Sequence, residues 1–192
     1  MLKKISTLVL AVSLLFVLTT IAFAWENSIT IGTDLLGTHK LSGYGAEVDS
    51  DTKTGFSFGY EGSYKFSDGV KLGLGYEMQT PRPLENYSGD FKFRSIYMLV
   101  NLPISDNKLE PYIIGRLGGG RLYSDSDYSN GAILTGGTYY AIGIGIKLYH
   151  KLDFNFLYSI NNGTGEYLTG TYKGLKGDIE YSKFSIVGKY NF

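Results

Sequence analysis

The chain of 192 residues has no cysteine, so it holds neither a disulfide framework nor a thiolate metal site. Lys plus Arg equals Asp plus Glu at 18 each, a balance that gives no basis for nucleic-acid binding. Twenty-six glycines and seventeen tyrosines are unusual for a soluble enzyme, and the four prolines all fall in or beside connecting segments, as long strands require.

Lys3 and Lys4 precede an uncharged stretch from Ile5 to Ala24, which closes with Ala22-Phe23-Ala24. A basic start, an apolar run and small residues at the minus-three and minus-one positions predict a secretory signal peptide, 1–24, cleaved after Ala24. The competing reading is an anchoring helix, for which the run is just long enough. The mature domain is then 25–192. It has lost two lysines and no acids, so its formal charge is −2. It holds no further run of about 18 apolar residues, so it enters a membrane only as a closed barrel, the one non-helical form that pairs every backbone group.

Period-two alternation dominates the mature chain. In 28–37, Ile29, Ile31 and Leu35 oppose Thr30, Gly32 and Asp34. In 54–66, Phe56, Phe58, Tyr60 and Tyr64 oppose Ser57, Gly59, Glu61 and Lys65. The rhythm is clearest in 70–79, where every even position is apolar or aromatic and the odd ones are Lys71, Gly73, Gly75, Glu77 and Gln79. The strand 92–102 is ambiguous in phase, because Arg94 shares the parity of Ile96, Met98, Val100 and Leu102 and belongs at the rim. In 111–121, Ile113 and Leu117 face away from Arg116. Strand 140–149 sets Tyr140, Ile142, Ile144, Ile146 and Leu148 against Ala141, Gly143, Gly145 and Lys147. Strand 152–160 sets Phe154, Phe156 and Tyr158 against Asp153, Asn155 and Ser159. The last strand alternates Phe184, Ile186, Tyr190 and Phe192 with Lys183, Ser185, Lys189 and Asn191. That makes eight.

Long and short connections alternate: 38–53, 66–69, 80–91, 103–109, 122–133, 149–151 and 161–180. Such asymmetry marks transmembrane barrels, with short periplasmic turns and long external loops, and it puts both mature termini in the periplasm. The apolar face points outward for three reasons. The strands run about nine to twelve residues, long enough to cross a hydrocarbon layer. The other face mixes glycine with charges of both signs, Glu61, Lys71, Glu77, Arg116, Lys147, Asp153, Lys183 and Lys189, which are predicted to form a charge network in the lumen. Aromatic rings at Tyr60, Tyr76, Tyr140, Tyr158, Tyr190 and Phe192 suit interfacial girdles. The competing soluble barrel or sandwich would turn the same apolar face inward.

The ending Tyr190-Asn191-Phe192 resembles the assembly signal of outer-membrane barrels, with Val187 where the pattern places a glycine. Pro111-Tyr112 and the glycine-rich stretch through Gly120 resemble the eight-stranded outer-membrane β-barrel domain family of OmpA-like, OmpX-like and opacity-type proteins, with Ile114 and Arg116 where glycine is common. The resemblance implies an antiparallel up-and-down transmembrane β-barrel in a Gram-negative outer membrane. It also implies partners: outer-membrane lipid, lipopolysaccharide and the barrel-assembly machinery.

Chemistry is sparse. His39 and His150 lie in connections without a second histidine at metal-ligand spacing. His39 with Ser42 is the one pair that a lipid A-modifying hydrolase or acyltransferase would use. Gly73-Leu74-Gly75 and Gly143-Ile144-Gly145 lie inside strands with no helix following, so they cradle no phosphate. Glu47, Asp49 and Asp51 form one acidic loop cluster; Asp125 and Asp127 form a partial calcium-loop pattern without its glycine and terminal Glu. No catalytic residue, cofactor or metal is expected. The expected function is that of a non-enzymatic monomer with a filled lumen, serving envelope integrity or adhesion, with an extracellular ligand met through loops 38–53, 80–91, 122–133 and 161–180. A narrow porin-like channel or small-ligand barrel is the alternative, and the lipid A enzyme a lesser one.

Overall fold

The computed structural model describes residues 25–43, 46–85, 90–105, 109–124, 132–149, 151–167 and 173–192. Ten strands follow in chain order: β1 (Trp25–Gly43), β2 (Ala46–Asp51), β3 (Phe56–Lys65), β4 (Lys71–Gln79), β5 (Arg82–Pro83), β6 (Asp90–Pro103), β7 (Tyr112–Tyr123), β8 (Ala132–Tyr149), β9 (Leu152–Tyr167) and β10 (Lys176–Asn191). Eight of them, all but the short β2 and β5, pair antiparallel with their chain neighbours. The ring is closed by β1 against β10, from Ser28↔Asn191 to Ser42↔Asp178. Closure leaves these strands no free edge, which is what a hydrocarbon environment demands. The predicted signal peptide, His150 and the Asp125/Asp127 cluster lie outside the described residues.

The alternation read from the sequence is the alternation of the wall. Ile96, Ile142 and Ile144 are 67%, 62% and 59% exposed on the outer surface. Their chain neighbours Ser95, Tyr97 and Ala141 are buried in the interior. On β6 the outward parity is that of Ile96, Met98 and Leu102, which resolves its phase; Arg94 is exposed at the upper end of the same face. On β8 the outward residues from Tyr140 to Leu148 cover about 27 Å of strand, which at ordinary barrel tilt projects to a height of about 20 Å. With side-chain reach added, this suits an apolar band about 25 Å tall.

Above the band the outward face turns polar on successive strands, at Thr38, Thr80, Arg94, Arg121, Thr138, Asn162 and Ser182. The ladders do not stop there. β1 and β2 continue as a hairpin from Thr38↔Asp51 to Gly43↔Ala46. The β8–β9 ladder reaches Ala132↔Tyr167, and β9–β10 reaches Lys176↔Glu166. The loops expected at 38–53 and 161–180 are therefore strand over 38–43, 46–51, 161–167 and 176–180, the one at 122–133 is strand at 122–123 and 132–133, and 80–91 contributes β5 and the start of β6. The reason is physical. Where the outward face is polar, pairing persists but the apolar alternation that reveals a strand is no longer needed.

A β-bulge between Asp34 and Leu36 re-phases β1, leaving both Leu35 and Leu36 outward while Asp34 and His39 face in. The turns at the other end are tight. In the β3–β4 reversal, Phe66 N–H donates to the Val70 carbonyl at 2.8 Å, and Gly69 adopts φ 86°. Because an L side chain pays for that left-handed backbone, Gly69→Ala is expected to lower stability by roughly 1–2 kcal/mol, read by urea unfolding of the detergent-refolded chain. A change below about 0.3 kcal/mol would show that the turn relaxes at no cost.

Candidate functional site

Charge among the described residues is both concentrated and buried in the interior of the barrel. Among the described residues, four carboxylates (Asp34, Glu61, Glu77, Asp153) and four cations (Arg82, Arg116, Lys183, Lys189) are buried there, so their formal charges cancel. Glu61 is the lower hub. It accepts from Arg116 Nη2 at 2.7 Å, Lys189 Nζ at 2.8 Å and Tyr97 Oη at 3.0 Å. Arg116 also lies 3.5 Å from Glu77 and stacks over the Tyr97 ring, 4.8 Å from its centroid. Lys183 is the upper hub, donating to Glu77 at 2.9 Å and to Asp34 at 3.1 Å. Asp34 is further held by Ser185 Oγ at 2.9 Å and by Arg82 Nε at 2.7 Å. Arg82 also donates to the carbonyls of Thr80, at 2.5 Å, and Phe56, at 2.9 Å. Seven of these eight charges therefore have a partner of opposite sign, which is the condition for burying a charge without neutralising it; Asp153 has only a hydroxyl, that of Tyr112.

Glu77 bridges the two hubs, and three apolar clusters share the interior with them. Tyr112, Ile114, Leu157 and Val187 form one cluster, and Tyr97, Leu99, Tyr139 and Ala141 another. A third, of Leu84, Phe91, Phe93, Leu122, Ile179 and Tyr181, is built from strand ends on the long-ladder side. Phe91, Phe93 and Tyr181 have no or almost no exposure, and their rings pack edge-on or stacked at 4.9–6.3 Å. Glycines make the room. A Cβ on Gly75 would meet the Tyr97 ring at 2.3 Å.

Of the eight charges predicted to line the lumen, Glu61, Glu77, Arg116, Lys183 and Lys189 meet in this network. Lys71 and Lys147 do not. They sit at the turn end, where Lys71 pairs with Glu26 at 2.5 Å and Lys147 with Glu110 at 3.3 Å. Asp153 is buried but accepts from the Tyr112 hydroxyl at 3.3 Å instead of joining the ion pairs. Asp34 and Arg82 were not among the eight. Asp34 shared the inward parity of Thr30 and Gly32, a usable signal; Arg82 lies between two prolines, where no periodicity exists to place it. At the chain end, Tyr190 and Phe192 are outward and exposed, and the Phe192 amide donates to the Asn27 carbonyl at 2.9 Å.

Comparison with solved structures places this architecture. The chain superposes on Neisserial surface protein A with a TM-score of 0.51 at 16% identity, covering 86% of this chain and 97% of that one. It superposes on Ail, the attachment invasion locus protein of Yersinia pestis, with a TM-score of 0.52 at 16% identity, covering 87% and 98%. For the outer membrane protein AlkL the TM-score is 0.50 at 12% identity, covering 88% and 89%. The chain has the fold of the eight-stranded outer-membrane β-barrels. No protein-family model matches the sequence, and no curated protein matches it.

In this outer-membrane barrel fold, His39 is buried against Phe91, with ring centroids 4.7 Å apart, and its ladder neighbours are Ser50 and Tyr181. Ser42 is exposed on the opposite face of β1, so the His39/Ser42 pair does not form. Among the described residues no group of three or more His, Cys, Asp or Glu side chains is placed to hold a metal. A cleft of about 740 Å³ opens in the outer wall beside the β1 bulge, lined in part by Leu35, Leu36, Lys53, Tyr158 and Phe184.

Proposed function

We propose that the protein is a non-enzymatic barrel of a Gram-negative outer membrane, closed to solutes, which carries extended hairpins on the cell surface. The observation that carries this reading is the interior: a charge-balanced column of ion pairs, layered with buried rings, occupies the space through which a solute would pass. Eight strands enclose only enough room for side chains. The described chain ends lie with the short turns, and the reading puts that end in the periplasm.

The long ladders then stand in the external medium, their inward side chains His39, Phe91, Leu122, Ile179 and Tyr181 buried and their outward faces wet. They present Lys40, Glu47 and Asp49 on the β1–β2 hairpin and polar Thr, Asn and Gly positions on β8 and β9. Rigid paired strands lose less freedom on binding than loose loops do, which favours surface attachment over passive scaffolding. Ail, named for attachment and invasion, has the same fold.

Planar-bilayer recording of the refolded mature chain is expected to show a flat baseline. Stable conductance steps would move the protein to the channel reading. Heat-modifiable migration on gels and recovery in the outer-membrane fraction are expected alongside; a monodisperse mature chain in detergent-free buffer would defeat the membrane assignment altogether.

A further inference from the structure

Arg94 of β6 and Arg121 of β7 are directly paired across the ladder and both face outward. Their guanidinium carbons lie 4.8 and 5.3 Å from the centroid of one ring, that of Tyr123. Like charges placed directly opposite destabilise a sheet. Among the described residues neither guanidinium has a carboxylate within 4.0 Å, although other exposed cations, Lys40 and Lys176, do. The pair sits where the outer face turns polar: Ile96 and Met98 lie below Arg94, and Leu117 lies below Arg121.

We infer that Arg94 and Arg121, both held against the Tyr123 ring, form a docking site for a phosphate on the headgroup of an outer-leaflet glycolipid. The inference rests on the membrane reading above, which fixes what surrounds this height of the wall. Two planar guanidiniums offer several N–H donors to one phosphate, and its negative charge removes the repulsion between them. The aromatic face holds both side chains close to the wall before the lipid arrives, so less freedom is lost on binding. The apolar residues beneath are placed to meet the acyl chains of the same molecule.

The test uses the mature chain refolded in phosphatidylcholine nanodiscs and titrated with bis-phosphorylated lipid A or with its dephosphorylated form, bound lipid being counted by native mass spectrometry. The native chain is expected to prefer the phosphorylated form by about tenfold or more, the scale of charge-assisted hydrogen bonds. The double variant Arg94→Gln/Arg121→Gln is expected to lose that preference. A control, Lys151→Gln/Lys176→Gln, removes two cations elsewhere and is expected to keep it. Equal binding of the two lipids, or a preference that survives in the arginine variant, overturns the site while leaving the barrel reading intact. A chain that will not insert into phosphatidylcholine at all overturns both.

Discussion

Glu61→Ala is expected to cost about 3–5 kcal/mol of folding stability, the largest effect of any single lumen substitution considered, because it leaves buried charges without their counter-charge. Glu61 is 2% exposed and is shared by Arg116, Lys189 and the Tyr97 hydroxyl. Arg116 retains Glu77 at 3.5 Å, a longer and weaker contact, whereas Lys189 has no other ion pair among the described residues. Glu61→Gln keeps the volume and an acceptor but not the charge, so its cost should fall between Ala and the native chain. Equilibrium unfolding in urea, in detergent or thin-bilayer vesicles, measures both. Should Glu61→Ala unfold within about 1 kcal/mol of native, the interior is wet enough to screen these charges. The closed-lumen reading would go with it.

The second large effect lies on the other face. Ile144 is central in the outward row of β8, from Tyr140 to Leu148, and is 59% exposed. Ile144→Arg is expected to destabilise the bilayer-inserted barrel by about 2–4 kcal/mol, since a cation at mid-depth faces acyl chains. Tyr140→Arg, at the upper end of the same row, should cost only about 0–1 kcal/mol, because its charge reaches the interface. The depth dependence is the diagnostic, since neither position touches the lumen network. In a water-soluble barrel an exposed Ile→Arg change would be close to neutral at both sites. Equal small effects at the two positions would thus contradict the membrane placement even if the fold itself stood.

Not every element was equally legible. The band-crossing parts of the strands were plain because an apolar outward face and a packed, polar inward face force a strict two-residue rhythm, as at Leu72, Leu74 and Tyr76 against Gly73, Gly75 and Glu77. Their outer extensions were not, since the β1–β2 hairpin past Thr38 has water on its outer face and need not alternate. Tyr60 and Tyr76 illustrate a related limit. Their outward direction followed from parity, but they pair with one another midway along β3 and β4 and not at a strand end. Tyr60 still reaches polar company by donating to Asn27 at 2.6 Å.

What the amino-acid order alone determined was the number of strands in the ring, the outward face and the presence of both signs of charge in the interior, because each depends on local parity and spacing. Which interior charges meet was decided only in three dimensions. Glu61 and Arg116 are 55 residues apart, and Asp34 and Lys183 are 149 apart. Parity says that such side chains point inward but carries no information about height or about which strand lies across the lumen. Ring closure and ladder register supply those two coordinates, and they sent Lys71 and Lys147 to the rim while drawing Arg82 into the centre.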